Sequence, residues 1–304
     1  MPWKIHKKRH LTSFQVIILG FAGVILFGAL ILMLPISSAQ AIITPFHKAL
    51  FTSTSAVCVT GLAVLDTGSY WSAFGQTVIM FLIQIGGLGV ITTATAVFIL
   101  SGRKISILQR STMQNAISAP KVGGIVRLMS FILKGTLLIE LIGALFMMPV
   151  FCHDFGLRGI WMSIFHSVSA FCNAGFDILG ANSLMNYVGD LWVNLVICGL
   201  IIAGGLGFVV WIDLRLSLIH YREHFKYFKL KKYLESLSLH TKIVLISSFV
   251  LIFGGMAVIF CLEFNNPQTL QPLSLPQKIL ASFFQSVTLR TAGFATIDMA
   301  ALHQ

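Results

Sequence analysis

Charge is what this chain has least of. Asp, Glu, Lys and Arg make up 10% of its 304 residues, only ten of them acidic, while 56% are hydrophobic. That is too little polar surface to clothe a soluble globule of this size, so the water-soluble classes are excluded. Cysteine is sparse and scattered. Cys58, Cys152, Cys172, Cys198 and Cys261 form no CxxC pair and no even framework, which argues against disulfide staples and against a metal cluster. No Ser/His, Asp/Asp or His/Glu set falls at one depth of an apolar segment, so an enzyme is not expected. A signal-peptide cleavage site is missing too: the apolar run 14–34 follows basic residues but reaches Pro35 without one, and stays as a first membrane span.

Long apolar runs are abundant. Segments 14–34, 75–100, 128–150, 191–212 and 243–262 each approach the ~20 residues that carry a helix across ~30 Å of hydrocarbon, which predicts five full spans. The fold class expected is all-α and polytopic.

The formal charge of +11 follows the topology. Segment 1–12 holds Lys4, Lys7, Lys8 and Arg9; segment 101–127 holds Arg103, Lys104, Arg110, Lys121 and Arg127; segment 213–242 holds Arg215, Arg222, Lys226, Lys229, Lys231, Lys232 and Lys242. The positive-inside rule makes these segments, with the N-terminus, cytoplasmic. Connections 35–70, 151–190 and 263–298 then face out. Topology accounts for the charge, and nucleic acid is not an expected partner. The run Tyr221 to Glu235 interleaves basic and aromatic residues and is expected on anionic lipid, or docked to a cytoplasmic partner.

One pattern occurs three times. Phe51 leads to Gly61-Leu62, Phe165 to Gly175-Phe176 and Phe283 to Gly293-Phe294, with ten residues from phenylalanine to glycine in each copy. The glycines lie 114 and 118 residues apart, a period that implies a repeated architecture. Before each glycine stands an apolar stretch too short to span: 45–56, 160–170 and 277–288. These predict re-entrant half-helices, with Pro45 and Pro276 at the starts of two of them. Non-helical backbone at membrane depth survives only where it lines a wet cavity, and glycine lets it turn its carbonyls inward.

Gly86-Gly87-Leu88-Gly89 and Gly204-Gly205-Leu206-Gly207 recur 118 residues apart and are expected as close-packing positions inside spanning helices. The unit is span, half-helix, glycine turn, span. It divides the chain into 1–12, a first repeat 13–100, a loop 101–127, a second repeat 128–213, a loop 214–242 and a partial third repeat 243–304. By the same period a third Gly-Gly motif is expected near residue 322 and a fourth glycine turn near 410, on the order of the repeat spacing.

Carbonyls from several segments around an axis can replace the water shell of a monovalent cation without fixed charge. The candidates are Val57, Cys58, Val59, Thr60 and Gly61; Phe171, Cys172, Asn173, Ala174 and Gly175; and Leu289, Arg290, Thr291, Ala292 and Gly293. Arg290 stands inside the third turn, either as an electrostatic barrier or as an anchor paired with Asp298. Asp177 and Asp298 could gather cations at the mouth or be solvated loop acids. Glu140 lies inside a span without a second acid to relay to, and is expected as a packing residue. His166 has no ligand partner at metal spacing, and no metal beyond the transported ion is expected.

These residues resemble the Trk/Ktr/HKT superfamily of potassium transporters, and within it the membrane subunit of the Ktr systems. The matches are Thr54-Ser-Ala-Val-Cys-Val-Thr-Gly-Leu62, Ser169-Ala-Phe-Cys-Asn-Ala-Gly-Phe176, Ser286-Val-Thr-Leu-Arg-Thr-Ala-Gly-Phe294 and Ile85-Gly-Gly-Leu-Gly89. The resemblance implies four span–pore–span units around one pore in each subunit. It also implies K⁺ as the transported ion, with Na⁺ as a possible second, in the bacterial plasma membrane. A homodimer and a cytoplasmic nucleotide-binding regulatory ring, KtrA-like, are the implied partners besides the bilayer. Arg290 matches the basic residue of the family's third filter. With three filter turns in 304 residues, the chain alone is expected not to conduct selectively. Two alternatives accompany this reading: a symporter coupling K⁺ to H⁺ or Na⁺, and a non-conducting scaffold that binds a regulator.

Overall fold

The computed structural model describes residues 12–90, 92–93, 125–180, 182–224 and 230–302. The basic N-terminus, the stretch 101–124 and residues 225–229 of the aromatic–basic run lie outside them. Among the described residues the helices are α1 (Ser13–Leu32), α2 (Phe46–Val57), α3 (Ala73–Leu88), α4 (Ile125–Phe155), α5 (Arg158–Phe171), α6 (Leu191–Gly205), α7 (Phe208–His224), α8 (Leu230–Ser236), α9 (Leu239–Glu263) and α10 (Leu275–Thr288), with three short 3₁₀ turns. The β pairing described is one isolated bridge, Ser38 to Trp71.

Local chemistry sets the helix starts. Thr12 accepts from Gln15 N and its own N–H bonds the Gln15 side chain, a capping box that opens α1. Ser72, Asp190 and Ser238 cap α3, α6 and α9 by accepting from Gly75, Val193 and Thr241 N–H groups. Pro45 precedes α2 directly, where its missing N–H costs nothing.

Among the described residues three helices are long and apolar enough to cross a membrane: 14–32 of α1, 126–155 of α4 and α9. Their outer faces carry bare apolar side chains, among them Phe14, Ile18, Phe27, Ile243, Ile246 and Phe249. Such surface is stable against lipid and not against water.

The other two expected spans are not single straight helices. The run 75–100 breaks: α3 has 16 residues and ends at Gly89, whose φ is +84°. The run 191–212 breaks as well, because Gly207 has a φ of +82° and α7 leaves at 92° to α6. Left-handed backbone cannot continue an α-helix. Gly89 and Gly207 are therefore helix breaks, which corrects their expected place inside spanning helices.

Each short helix packs on the long one before it through the same bond. Ser53 Oγ donates to Ile25 O at 2.7 Å, Ser167 Oγ to Glu140 O at 2.6 Å and Ser286 Oγ to Ile252 O at 2.6 Å. Glycine makes room for it each time: a Cβ on Gly28, Gly143 or Gly255 would lie 2.6 Å from the serine oxygen concerned. The core between these pairs is aromatic, with Phe151, Phe165, Phe176, Phe284 and Phe294 fully buried. His166 belongs to it, its Nδ1 2.7 Å from Met162 O and its ring beside Phe151, Phe165 and Phe294.

Candidate ion-pathway site

Beyond the last helical residues Val57, Phe171 and Thr288, the chain makes one conformational move three times. Val59, Asn173 and Thr291 adopt left-handed backbone at φ +57°, +56° and +74°. Two residues later Gly61, Gly175 and Gly293 do so again at +72°, +68° and +84°. Left-handed geometry is uncommon for asparagine and strained for the β-branched valine and threonine. Side-chain type gave no sign of it at Val59 and Thr291, whereas asparagine, as at Asn173, is enriched in this backbone.

The hydrogen-bonded loop of the third turn is one residue shorter than those of the others. Thr60 N donates to Ser55 O and Ala174 N to Ser169 O, five residues back, whereas Ala292 N donates to Thr288 O, four back. The anchoring serines stand eight residues before Gly61 and Gly175 but seven before Gly293. Counted from those serines, the counterpart of buried Phe165 is buried Phe284, and the neighbouring Phe283 is only partly buried. The ten-residue spacing in the sequence therefore picks out the wrong phenylalanine in the third copy.

The three glycines meet. A Cβ on Gly61 would lie 2.6 Å from Ala174 O and 3.3 Å from Gly175 Cα, and one on Gly293 would lie 3.1 Å from Gly175 Cα. One on Gly175 would overlap Ala292 O. Gly175 is thus in the middle of the set, and a side chain at its position would have to displace the Ala292 carbonyl. Hydroxyls hold the outgoing strands: Ser169 Oγ donates to Phe176 O at 2.6 Å and Thr288 Oγ1 to Phe294 O at 2.8 Å.

The helices α3 and α6 back up the turns at close range. A Cβ on Gly86 would overlap Val57 O, and one on Gly204 would overlap Phe171 O. A Cβ on Gly87 would lie 2.6 Å from Cys172 Sγ. The first two glycines of each Gly-Gly-Leu-Gly motif do serve close packing, and what they pack is the turn.

Two cavities flank the glycines. One of about 750 Å³ gathers residues before them from all three turns, including Cys58, Val59, Thr60, Cys172, Asn173, Leu289 and Thr291. The other, about 280 Å³, gathers residues after them: Asp66 and Asp177 with Gly61, Gly175 and Phe176. Burial, and to a smaller degree the Asp66 charge, pushes the Asp177 carboxyl up to about 6. Asp66 went unnoticed in the sequence, although it stands five residues past Gly61, as Asp298 does past Gly293. Asp298 does not line this cavity; it accepts from Ala300 N at 2.9 Å and starts the turn Met299–Ala301.

Buried amides steady the loops around the smaller cavity. Gln76 Nε2 donates to Thr67 O and Trp71 O while its Oε1 accepts from Trp161. Asn194 Nδ2 donates to Tyr187 O and Asp190 O. Arg290 donates from Nη2 to Ser248 Oγ of α9 at 3.0 Å, so its bonded partner is a hydroxyl and not Asp298. Glu140 is buried beside the second turn, accepting from Cys172 Sγ at 3.8 Å.

Comparison with known proteins joins these features. A family model described as "Cation transport protein", TrkH, matches residues 5–304. The chain belongs to the TrkH family. It is 42% identical over 302 residues to the Ktr system potassium uptake protein B of Bacillus subtilis (strain 168), covering 99% of this chain and 64% of that protein. It is 41% identical over 292 residues to the potassium/sodium uptake protein NtpJ of Enterococcus hirae, covering 96% and 61%. The Ktr system potassium uptake protein B of Vibrio alginolyticus is 37% identical over 286 residues, covering 94% and 60%. The chain thus spans less than two thirds of the length of these relatives. Family and apolar helices together make this TrkH member a multi-pass membrane protein.

Proposed function

We propose that this chain forms three walls of a potassium filter in a plasma-membrane uptake protein. Main-chain carbonyls of Val57 to Gly61, Phe171 to Gly175 and Leu289 to Gly293 would replace water around the ion. The observation that carries this reading is the contact of Gly175 with both Gly61 and Gly293 at the non-helical ends of three short helices. Physical chemistry supports it twice. Helix C-termini present partial negative charge, which favours a cation where the three helices end. Bare backbone at membrane depth needs water or an ion to satisfy it, and cavities lie on both sides of these turns.

On this reading Asp66 and Asp177 concentrate cations ahead of the glycines, and Arg290 is a positive barrier beside the path. A fourth turn supplies the remaining wall, so the 304-residue chain by itself does not conduct selectively. The basic segments support a cytoplasmic N-terminus. The Ktr names of two relatives support a multicomponent system, in which this subunit dimerises and docks a KtrA-like nucleotide-binding ring. Movement is channel-like and driven by the electrochemical gradient. The name of the Enterococcus hirae relative favours a second reading in which Na⁺ also passes or is coupled.

The test is a chimera. Residues 5–304 replace the matching portion of the Bacillus subtilis relative, and ⁸⁶Rb⁺ uptake is followed in a bacterium lacking its own K⁺ uptake. The chimera restores uptake, while the 304-residue chain in liposomes stays at background. Background uptake by a chimera that reaches the membrane refutes the filter reading; selective flux through the chain alone refutes the three-wall clause.

A further inference from the structure

Between α3, α4 and α5 lies a crevice of about 300 Å³ that the ion path does not use. Its walls are Phe81, Leu137, Leu141 and Val168, with Gln84 and Glu140 as its polar lining. Phe81, Leu137 and Leu141 are 60%, 60% and 56% exposed, so the crevice opens on the apolar surface that faces lipid. Its volume is at the lower end of the range of about 300–1,000 Å³ that holds small organic ligands.

The carboxyl here is not demanded by the fold. Ile25, Glu140 and Ile252 are the three residues whose carbonyls accept the anchoring serines, so two of three equivalent sites carry isoleucine. Gln84 is likewise matched, two residues before the first glycine of the next Gly-Gly motif, by Ile202. Among the described residues this repeated packing holds a polar pair at the crevice, where the matched positions Ile25, Ile202 and Ile252 are apolar. Glu140 makes no ion pair among the described residues; the neutral Gln84 amide lies against it and Cys172 Sγ donates to it at 3.8 Å. A buried carboxyl of this kind selects a partner that shares its proton and leaves the pair neutral overall.

We propose that the crevice is a binding site for an amphiphilic amine that enters from the bilayer, its nitrogen on Glu140 and its apolar tail against Phe81, Leu137 and Leu141. Whether free amine meets carboxylic acid or ammonium meets carboxylate, one proton is shared and no net charge is buried. The bond from Cys172 to Glu140 connects occupancy to the second glycine turn. That consequence rests on the filter reading, whereas binding does not.

Thermal unfolding of the purified chain in detergent tests the site, with n-octylamine as probe and n-octanol as its uncharged counterpart. Octylamine at ten times its half-saturating concentration raises the midpoint by about 2–4 °C. Glu140→Gln removes that shift, and so does Leu141→Trp, which fills the crevice and keeps the carboxyl. Octanol shifts all three proteins alike. Equal octylamine shifts in wild type and both variants, no shift in any, or an octanol shift that matches octylamine in the wild type, overturns the proposal. Rubidium uptake by the chimera judges the filter separately, so either reading can fail while the other stands.

Discussion

Gly204 lies so close to Phe171 that a methyl group on its Cα would overlap the Phe171 carbonyl oxygen. Phe171 is the last helical residue before the second glycine turn, so a residue of α6 fixes where that turn begins. Gly86 stands in the same relation to Val57. In both cases the obstacle is backbone, which cannot rotate aside.

Gly204→Ala therefore destabilises the protein by about 1–3 kcal/mol, the usual cost of overpacking. Gly199, on the same helix, has no atom within 4 Å of its would-be Cβ. Gly199→Ala is neutral or stabilising by about 0.5–1 kcal/mol, since alanine is the better helix residue. Thermal unfolding of the two variants in detergent distinguishes them.

Val59 holds left-handed backbone that costs an L-residue about 1–2 kcal/mol and glycine almost nothing. Val59→Gly gains stability by about 1 kcal/mol once the extra freedom of the unfolded glycine is subtracted. Val59→Pro fails to fold, because proline cannot take positive φ and the Val59 N–H is bonded to Ala56 O. The measurement is the unfolding midpoint together with the yield of monodisperse protein.

Asp177 makes the smaller cavity sensitive to pH. Its folded value of about 6 lies above the ordinary carboxyl range, so the group is charged above pH 6 and neutral below it. Apparent cation affinity in chimera uptake falls as pH drops through 6, and Asp177→Asn abolishes that dependence. The stability sign is opposite: between about pH 4 and 6 the folded state binds more protons than the unfolded one, so rising pH costs stability there. Asp66→Asn removes one cause of the elevation and moves the transition to lower pH.

Arg290 is tied to Ser248 and not to an acid. Arg290→Gln raises uptake by the chimera severalfold at fixed protein level, because a positive barrier beside the path is lost. Asp298→Asn changes uptake little. If Asp298→Asn reproduces the effect of Arg290→Gln, the two are an electrostatic pair after all.

The three short helices α2, α5 and α10 were legible in the sequence because their length and apolarity conflict: too short to span, too apolar for a loop. The breaks at Gly89 and Gly207 were not legible, since apolar residues continue on both sides and hydropathy reads straight through a change of direction. Nor was the shortened third turn, because Phe283 and Phe284 are adjacent and a count of ten always finds a phenylalanine. The left-handed positions were hidden by side-chain type, as valine and threonine rarely adopt that backbone. Asp66 carried a signal in its five-residue offset from Gly61, the same offset that separates Asp298 from Gly293.

The most direct test is the ratio of ⁸⁶Rb⁺ to ²²Na⁺ uptake by the chimera, measured for the wild type and for Gly175→Ser at equal membrane abundance. If Gly175 is the middle of an ion filter, the wild type favours Rb⁺ by at least about tenfold, equivalent to about 1.4 kcal/mol. The variant then loses most of that preference. An unchanged ratio in Gly175→Ser would contradict the account, because the glycine contact would then have no part in choosing the ion.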